Sequence, residues 1–504
     1  MAAFVSISLI FLAIFFILRW LSSKPAKFPP GPPRWPIVGN LVELIRGAKG
    51  GAIHEIFMRL ANKYGPILGL FMGTQPTIII SDYLAIRELG ARDDLCGRTI
   101  NKVGQIMQKG RKYGLIFNHG DDWREQRRFT LRHLKDLGFG KKSMECIIQE
   151  EAENLVTEVA KKAGANFQQP VELYNILGTA SINVLWFIIA GQRYSHDDAR
   201  LQKLITLIKD ISSQFNAAGG LAACFPIILD IAPGLTEIEK FKLVRQRVKD
   251  FIMEDVNAHK ETLDQENPRD FLDMYLIEIE KNKDKKDTSY YEEQLVFVVG
   301  DLFLAGVDTT FNAMAFTLVY MVCNPEVQKK VHDEIDAVVG RDRLPSLNDR
   351  SNMPYVEATI QESLRMSSVA PLAVPHAPLF AKFDTPFREF IFPKDSRILL
   401  NIAHVHMDPK LCGDPENFRP ERFLTKNSKL IKPDYLLPFG SGKRQCLGET
   451  LAKNNLFLLF SALMQRYKLE VPEGCAPPNS REVEGAFTLG PVPYKAKVTP
   501  RFMA

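Results

Sequence analysis

Near the C-terminal end, the run Phe439-Gly440-Ser441-Gly442-Lys443-Arg444-Gln445-Cys446-Leu447-Gly448 carries a single cysteine on a glycine-rich loop just ahead of an apolar helical pattern. Glycine lets a backbone turn tightly and come close to a flat ligand. A helix N-terminus turns N–H groups and its positive dipole toward a thiolate, so a cysteine at the start of that helix is expected to be held deprotonated. An ordinary glycine-rich turn accounts for none of Phe439, Arg444 and Gly448 at their places around Cys446.

The other six cysteines, Cys96, Cys146, Cys224, Cys323, Cys412 and Cys475, are scattered and form no CxxC pair, which argues against a disulfide scaffold and a zinc cluster. They read as reduced thiols used as small buried hydrophobes. A chain of 504 residues, 46% hydrophobic and 24% charged, can bury a large core and is too apolar to be disordered. The net charge of +5 comes from 64 Lys+Arg against 59 Asp+Glu, so basic surface is local and nucleic acid is not an expected partner.

Residues 1–18 carry no charge and are mostly Phe, Ile, Leu and Val, while Arg19, Lys24 and Lys27 all follow them. That order predicts a single membrane-spanning helix with the rest of the chain on the cytosolic side, not a cleaved signal peptide. Phe28-Pro29-Pro30-Gly31-Pro32-Pro33, with Trp35, Pro36 and Gly39 behind it, predicts a stiff non-helical spacer. The expected organisation is an anchor at 1–21, a Pro-rich hinge at 22–40 and one large domain at 41–504.

Apolar recurrence at three and four residues predicts helices over 51–64, 121–137, 144–163, 171–189, 201–215, 237–260, 288–322, 325–339, 353–366 and 446–466. Strand-like stretches are short and few, at 67–71, 77–80 and 397–402. The fold class is therefore mainly α with small β-sheets.

Inside the pattern at 288–322 stands Ala305-Gly306-Val307-Asp308-Thr309-Thr310. Small residues there admit a planar ligand, and threonine hydroxyls can bond backward to carbonyls and bend the helix. Helix packing alone explains Ala305 and Gly306 but not a mid-helix Asp-Thr-Thr. Glu362 and Arg365 share one helix face and can pair, as Trp123 and Arg127 can on another.

These segments resemble, in order and over essentially the whole chain, the motifs of the cytochrome P450 family. The resemblance implies that fold, a large helical haem domain, with haem b as cofactor and the Cys446 thiolate as its axial metal ligand. It implies that Asp308 and Thr309 relay protons to dioxygen. It makes Glu362, Arg365 and Arg422, from Pro420-Glu421-Arg422-Phe423, a structural triad. It assigns the haem propionates to Arg98, Trp123, Arg127, His376 and Arg444. Leu304, Ala305, Ala370, Leu372, Phe487 and Leu489 are implied to line the substrate pocket, within the stretches Val369-Ala370-Pro371-Leu372 and Ala486-Phe487-Thr488-Leu489.

No GxGxxG fingerprint is found in a strand-turn-helix setting, so the electrons have to come from elsewhere. For an N-terminally anchored member the resemblance implies the NADPH-dependent cytochrome P450 reductase, with cytochrome b5 as a further partner, at the endoplasmic reticulum membrane. The basic stretch Arg124, Arg128, Arg132, Lys135, Lys141 and Lys142 is its candidate dock, though a solvated helix face explains it equally. The run Trp123-Arg124-Glu125-Gln126-Arg127-Arg128-Phe129 and the pair Gly97-Arg98 resemble the microsomal clan of vertebrate drug- and steroid-metabolising and arthropod hormone-pathway enzymes, and 132–140 resembles its arthropod branch.

Rival readings are a haem-thiolate isomerase or dehydratase, for which Asp308-Thr309 has little use, and a non-catalytic haem sensor or carrier, for which an anchor has none. The uncharged pocket stretches predict a neutral lipophilic substrate, such as a terpenoid, steroid or xenobiotic, because they offer nothing to a buried charge. Lys109, Arg111 and Lys112, in a neighbouring loop, are the residues that could reach an acid.

Overall fold

The helix Glu292–Cys323 is apolar around its whole circumference and 32 residues long, a pattern that is stable only when enclosed. In the computed structural model, which describes residues 2–47, 52–98, 102–107, 111–138, 142–195, 198–212, 220–379, 383–485 and 487–502, this helix runs through the centre of the molecule. The helices Leu173–Ala190, Ile238–Glu261, Pro354–Ser367 and Glu449–Arg466 pack around it. Among the described residues it is the one span that passes a length and hydropathy test for crossing a membrane, and its burial identifies it as a core helix.

Helices form at all ten expected places, most with ends within two or three residues of the reading, as at Asp121–Asp136 and Pro325–Val338. The last of them is corrected. It begins at Glu449 with Gly448 as its N-cap, so Cys446 precedes the helix instead of opening it. The reason is local: the Cys446 N–H donates to the Phe439 carbonyl at 2.9 Å, which closes the loop on itself, and Gln445 is extended.

The main sheet runs, in spatial order, Ile67–Met72, Gln75–Ile80, Arg397–Leu400, His376–Ala377 and Gly97–Arg98. The first pair is an antiparallel hairpin, and Thr77–Ile80 then pairs in parallel with Arg397–Leu400. At the far edge the register sets Arg98 directly opposite His376, which brings two residues distant in sequence into contact.

The Pro-rich segment is non-helical as expected, but it is docked rather than free. Phe28 is buried, Pro30 O accepts from the Gly69 N–H, and Asn40 pairs with Phe71 through both its backbone and its side chain. The prolines lack N–H donors, so Asn40 supplies the donors and acceptors that fasten the segment to the sheet. Ahead of it, Ala2–Ser22 is a helix.

Glu362 is fully buried and accepts from Arg365 Nε at 2.7 Å, Arg365 Nη2 at 2.9 Å and Arg422 Nε at 2.9 Å. Arg365 also donates to the carbonyls of His406 and Pro415 at 2.9 Å each, and Arg422 to those of Cys412 and Asp414. One carboxylate thus ties the helix Pro354–Ser367 to the irregular chain that leads into the cysteine loop. Glu362→Ala leaves the buried Arg365 guanidinium without its anion and Arg422 with only Asp414, a loss of about 3–5 kcal/mol. The variant is expected to accumulate as unfolded or aggregated chain, measured as soluble yield and denaturant midpoint. Wild-type values would contradict the role given to this carboxylate.

Candidate functional site

The cysteine loop is shaped by its glycines. Gly442 has φ +74°, and a Cβ on it would lie 2.1 Å from the Gly90 carbonyl oxygen on the helix Tyr83–Ala91, so the loop and that helix touch backbone to backbone. Cys446 is solvent-accessible. Burial nevertheless pushes its thiol up, opposed by the Gly448 N–H and by Arg127 and Lys453. Burial and the N–H and cations around the sulfur thus act in opposite directions on the thiol. A bound metal cation would supply the missing charge, since coordination deprotonates a thiol outright.

Around the loop stand cations that no carboxylate meets among the described residues. Arg98 donates to the carbonyls of Ile116, Val374 and Pro375 and lies 3.1 Å from His376 Nδ1. Arg444 donates to the carbonyls of Cys96 at 2.9 Å and Asn118 at 2.7 Å, and its guanidinium stacks 3.5 Å above the centre of the Trp123 ring. Arg127 donates to the Gln445 carbonyl at 2.6 Å. Burial and mutual repulsion hold Arg98 and His376 well below their ordinary values, and burial brings Arg444 down to about 9. Arg444 Nη1 and Asn118 Nδ2 are buried without a partner. This donor set fits a buried group bearing two carboxylates and a metal that takes one thiolate, as haem b does. All five residues assigned to the propionates converge here, and Asn118, which sequence reasoning passed over, joins them.

On the central helix, Ala305 is accessible between the buried Phe303 and Val307, so a cleft reaches this turn. Thr309 donates its hydroxyl to the Ala305 carbonyl at 2.6 Å, the backward bond expected of it. Gly306 faces elsewhere: a Cβ there would strike Leu185 at 2.8 Å, so this glycine serves helix packing rather than ligand approach. Asp308 bonds to Thr488, and burial raises its carboxyl. Leu304, Ala370 and Phe487 are half-buried. Leu489 is buried and donates its N–H to the Val369 carbonyl at 2.8 Å, while Leu372 sits in an apolar cluster with Leu44, Ile56 and Phe57. Ala486 and Lys109 lie outside the described residues. Arg111 and Lys112 are exposed, with Lys112 at 2.7 Å from His119 Nε2.

Two more groups have roles that the sequence did not signal. Asp301, one turn and more before Asp308, accepts from the N–H groups of Leu115 and Ile116 at 2.6 and 2.9 Å, and burial pushes its carboxyl up to about 6. It clasps the loop whose Ile116 carbonyl is held by Arg98. His406 accepts the Leu437 N–H at its Nε2 at 2.9 Å, faces the Ser368 hydroxyl through Nδ1 at 2.9 Å, and gives its carbonyl to Arg365. It carries the order of the Glu362 cluster into the chain just before Phe439. Arg124, Arg128, Arg132 and Lys135 are exposed on the helix Asp121–Asp136, with Arg124 shared between Asp121 and Asp93; Lys141 lies outside the described residues.

A family model described as Cytochrome P450 matches residues 29–498. The chain is 34% identical over 480 residues to a farnesoate epoxidase of Bombyx mori, covering 95% of each. It is 36% identical to cytochrome P450 2C23 of Rattus norvegicus, covering 94% of each chain, and 35% identical to cytochrome P450 2U1 of Homo sapiens, covering 96% of this chain and 91% of that one.

Burial and the nearby Arg365 push His406 down to about 3, so it stays neutral while the unfolded chain takes up a proton near pH 6.5. The folded state therefore loses stability as pH falls below about 6.5, by about 2 kcal/mol at pH 5. His406→Gln is expected to lack that part of the slope in unfolding curves between pH 7 and 5. An unchanged slope would show that this imidazole is not held neutral.

Proposed function

The chain belongs to the cytochrome P450 family, and from that premise we propose that it is an anchored, reductase-driven monooxygenase acting on a neutral lipophile, with Cys446 as the axial thiolate. The family is haem-thiolate and uses O2 with electrons supplied by a reductase, and haem monooxygenase activity on a lipophilic substrate follows from membership. The observation that carries the residue assignments is the convergence of the Arg98, Arg127 and Arg444 guanidinium groups, which meet no carboxylate among the described residues, with His376 and Trp123 beside the accessible Cys446.

When bound, haem supplies the redox centre at which O2 is reduced and its bond cleaved. Arg98, Arg127, Arg444, Trp123 and His376 hold and orient it through its propionates. Cys446 would hold the metal through its sulfur, at which Gly448 directs its N–H, and would supply electron density to it. The Ala305 turn leaves room on the opposite side, and the uncharged side chains about it keep bulk water from the reacting atoms. Asp308 brings a proton from the solvent side, and the Thr309 hydroxyl passes it on at the cleft wall. Glu362, Arg365 and Arg422 take no part in the chemistry and hold the loop that carries Cys446.

The helix Ala2–Ser22 is proposed to cross the endoplasmic reticulum membrane once, leaving the catalytic body cytosolic. Leu12, Phe15, Phe16, Ile17 and Trp20 are all exposed on it, as membrane-embedded residues would be. A second apolar margin supports attachment of the body itself: Ile227, Ile231 and Leu235 are 63–72% exposed, as are Trp35 and Ile37 at 59–60%. The two groups meet at one hairpin turn, where Thr74 donates to the Cys224 carbonyl and Gly39 bridges Met72. NADPH-dependent cytochrome P450 reductase is the proposed electron donor, docking on the exposed arginines of Asp121–Asp136, with cytochrome b5 as a second partner.

The proposed substrate is a terpenoid, a sterol or a foreign lipophile, and the Bombyx mori relative, a farnesoate epoxidase, favours the first. Terpenoid acids and their methyl esters, incubated with the enzyme, reductase and NADPH, test both halves of the proposal. NADPH and O2 consumption that requires reductase, with faster product formation and tighter binding for the esters, is expected. Turnover without reductase would favour the isomerase reading, and consistently tighter binding of the acids would overturn the neutral-substrate claim.

A further inference from the structure

Asp308 and Thr309 are neighbours in sequence, yet no hydrogen bond joins their side chains. The Thr309 hydroxyl is directed to the Ala305 carbonyl. The Asp308 carboxyl reaches the other way, to the C-terminal turn, where Thr488 donates its hydroxyl to Oδ2. The Asn312 side chain stands one helical turn on and helps to hold the carboxyl's affinity for a proton down. Asn312 Oδ1 in turn accepts from the Tyr174 phenol at 3.1 Å, on the helix Leu173–Ala190.

This arrangement is tightly built. A Cβ on Gly490 would lie 2.4 Å from Asn312 Oδ1 and 3.2 Å from the Tyr174 oxygen, so the strand Gly490–Pro491 lies directly on the amide. Gly485, at φ +112°, packs so closely on the Thr488 carbonyl that a Cβ would come within 2.1 Å of it. Leu489 fastens the other end of the turn to Val369. The position of the Thr488 hydroxyl is thus set by backbone contacts on both sides. The same turn carries Phe487 and Leu489, which the proposed function sets against the substrate.

We infer that Thr488 is a positioning residue that, with Asn312 beside it, holds the Asp308 carboxyl off the Thr309 hydroxyl, and that the substrate-side turn carrying Thr488 thereby controls when the proton is delivered. The inference rests on the reading of Asp308 and Thr309 as the proton relay. In the held state the carboxylate keeps the Thr488 hydroxyl as its donor. Delivery requires that Thr488 let go and that the carboxyl take up a proton and turn toward Thr309; the Thr309 hydroxyl then accepts that proton as it passes its own into the cleft, and the carboxylate is reprotonated from solvent. No redox step is involved. Burial raises the Asp308 carboxyl while Thr488 and Asn312 work against that rise. The other titratable groups that face this cluster are Tyr174, whose phenol burial and Asp308 push up, and the exposed Glu484 on the neighbouring hairpin strand.

The test is an infrared pH titration of the protonated-carboxyl stretch in the resting enzyme, with the Asp308 band identified by its loss in Asp308→Asn. Removing a donor from a carboxylate disfavours its charged form, so Thr488→Val is expected to move the midpoint upward by about one to two units. Thr488→Ser is expected to restore it. Asn312→Ala removes, from another element, the amide that helps to hold the Asp308 carboxyl down and is expected to move the midpoint the same way, which keeps the test open should one variant fold poorly. The coupling of NADPH to product is expected to fall several-fold in Thr488→Val and to recover in Thr488→Ser. An unmoved Asp308 midpoint in both Thr488→Val and Asn312→Ala overturns the inference and leaves the relay untouched. Unchanged coupling in Asp308→Asn and Thr309→Ala overturns the relay itself.

Discussion

Positive charge buried without an anion is costly, and this fold concentrates it: among the described residues Arg98, Arg127 and Arg444 surround the cysteine loop with only carbonyls, the Trp123 face and the His376 ring as partners. Burial lowers the affinity of all three for a proton, and Arg127 and Arg444 lower that of Arg98 further, as Arg127 does that of Arg444. Such a cluster favours a dianion brought to it, and a bound metal would stabilise the thiolate of Cys446 against the burial that pushes the thiol up. The two demands are met by one ligand, a metal held in a flat ring with two carboxylates. The rest of the architecture can be understood as what is needed to bring those five side chains and one sulfur to the same place.

Three devices do this. The short pairing of Gly97–Arg98 with His376–Ala377 at the sheet edge sets the first arginine beside the histidine. The Glu362 cluster, through the His406 bridge to Leu437, fixes the chain that enters the cysteine loop. The central helix supplies the opposite wall, with its early carboxylates turned to the 113–117 loop and Asp308 turned to the C-terminal turn. Recognition, support and proton handling therefore lie on different elements, each anchored by long-range contacts.

What could be read ahead of the structure was whatever is periodic or local. The ten long helices declare themselves by apolar spacing, and Glu362 with Arg365 is visible because a helix brings residues three apart together. The helix Phe271–Lys281 was passed over, since its short apolar face runs straight into the polar stretch 282–287. Strands of two or three residues, such as Gly97–Arg98, Thr385–Phe387 and Val483–Glu484, are too short for any alternation to show. Arg422, Arg98 and His376 were found only through the family resemblance. Asp301, Asn118 and His406 act through backbone groups distant in sequence, and no local pattern marks a carboxylate or imidazole whose partner is someone else's N–H. The helix start at Glu449, three residues later than expected, follows from the Cys446–Phe439 backbone bond, which sequence spacing does not reveal.

The central claim is that the Cys446 sulfur is the axial ligand within this cluster. The absorption spectrum of the dithionite-reduced, CO-saturated protein tests it most directly, because a thiolate opposite CO shifts the Soret band strongly to the red of its position with a neutral donor. The account predicts the red-shifted band in the wild type and its loss in Cys446→Ala and Cys446→His. Persistence of that band in Cys446→Ala would contradict the account.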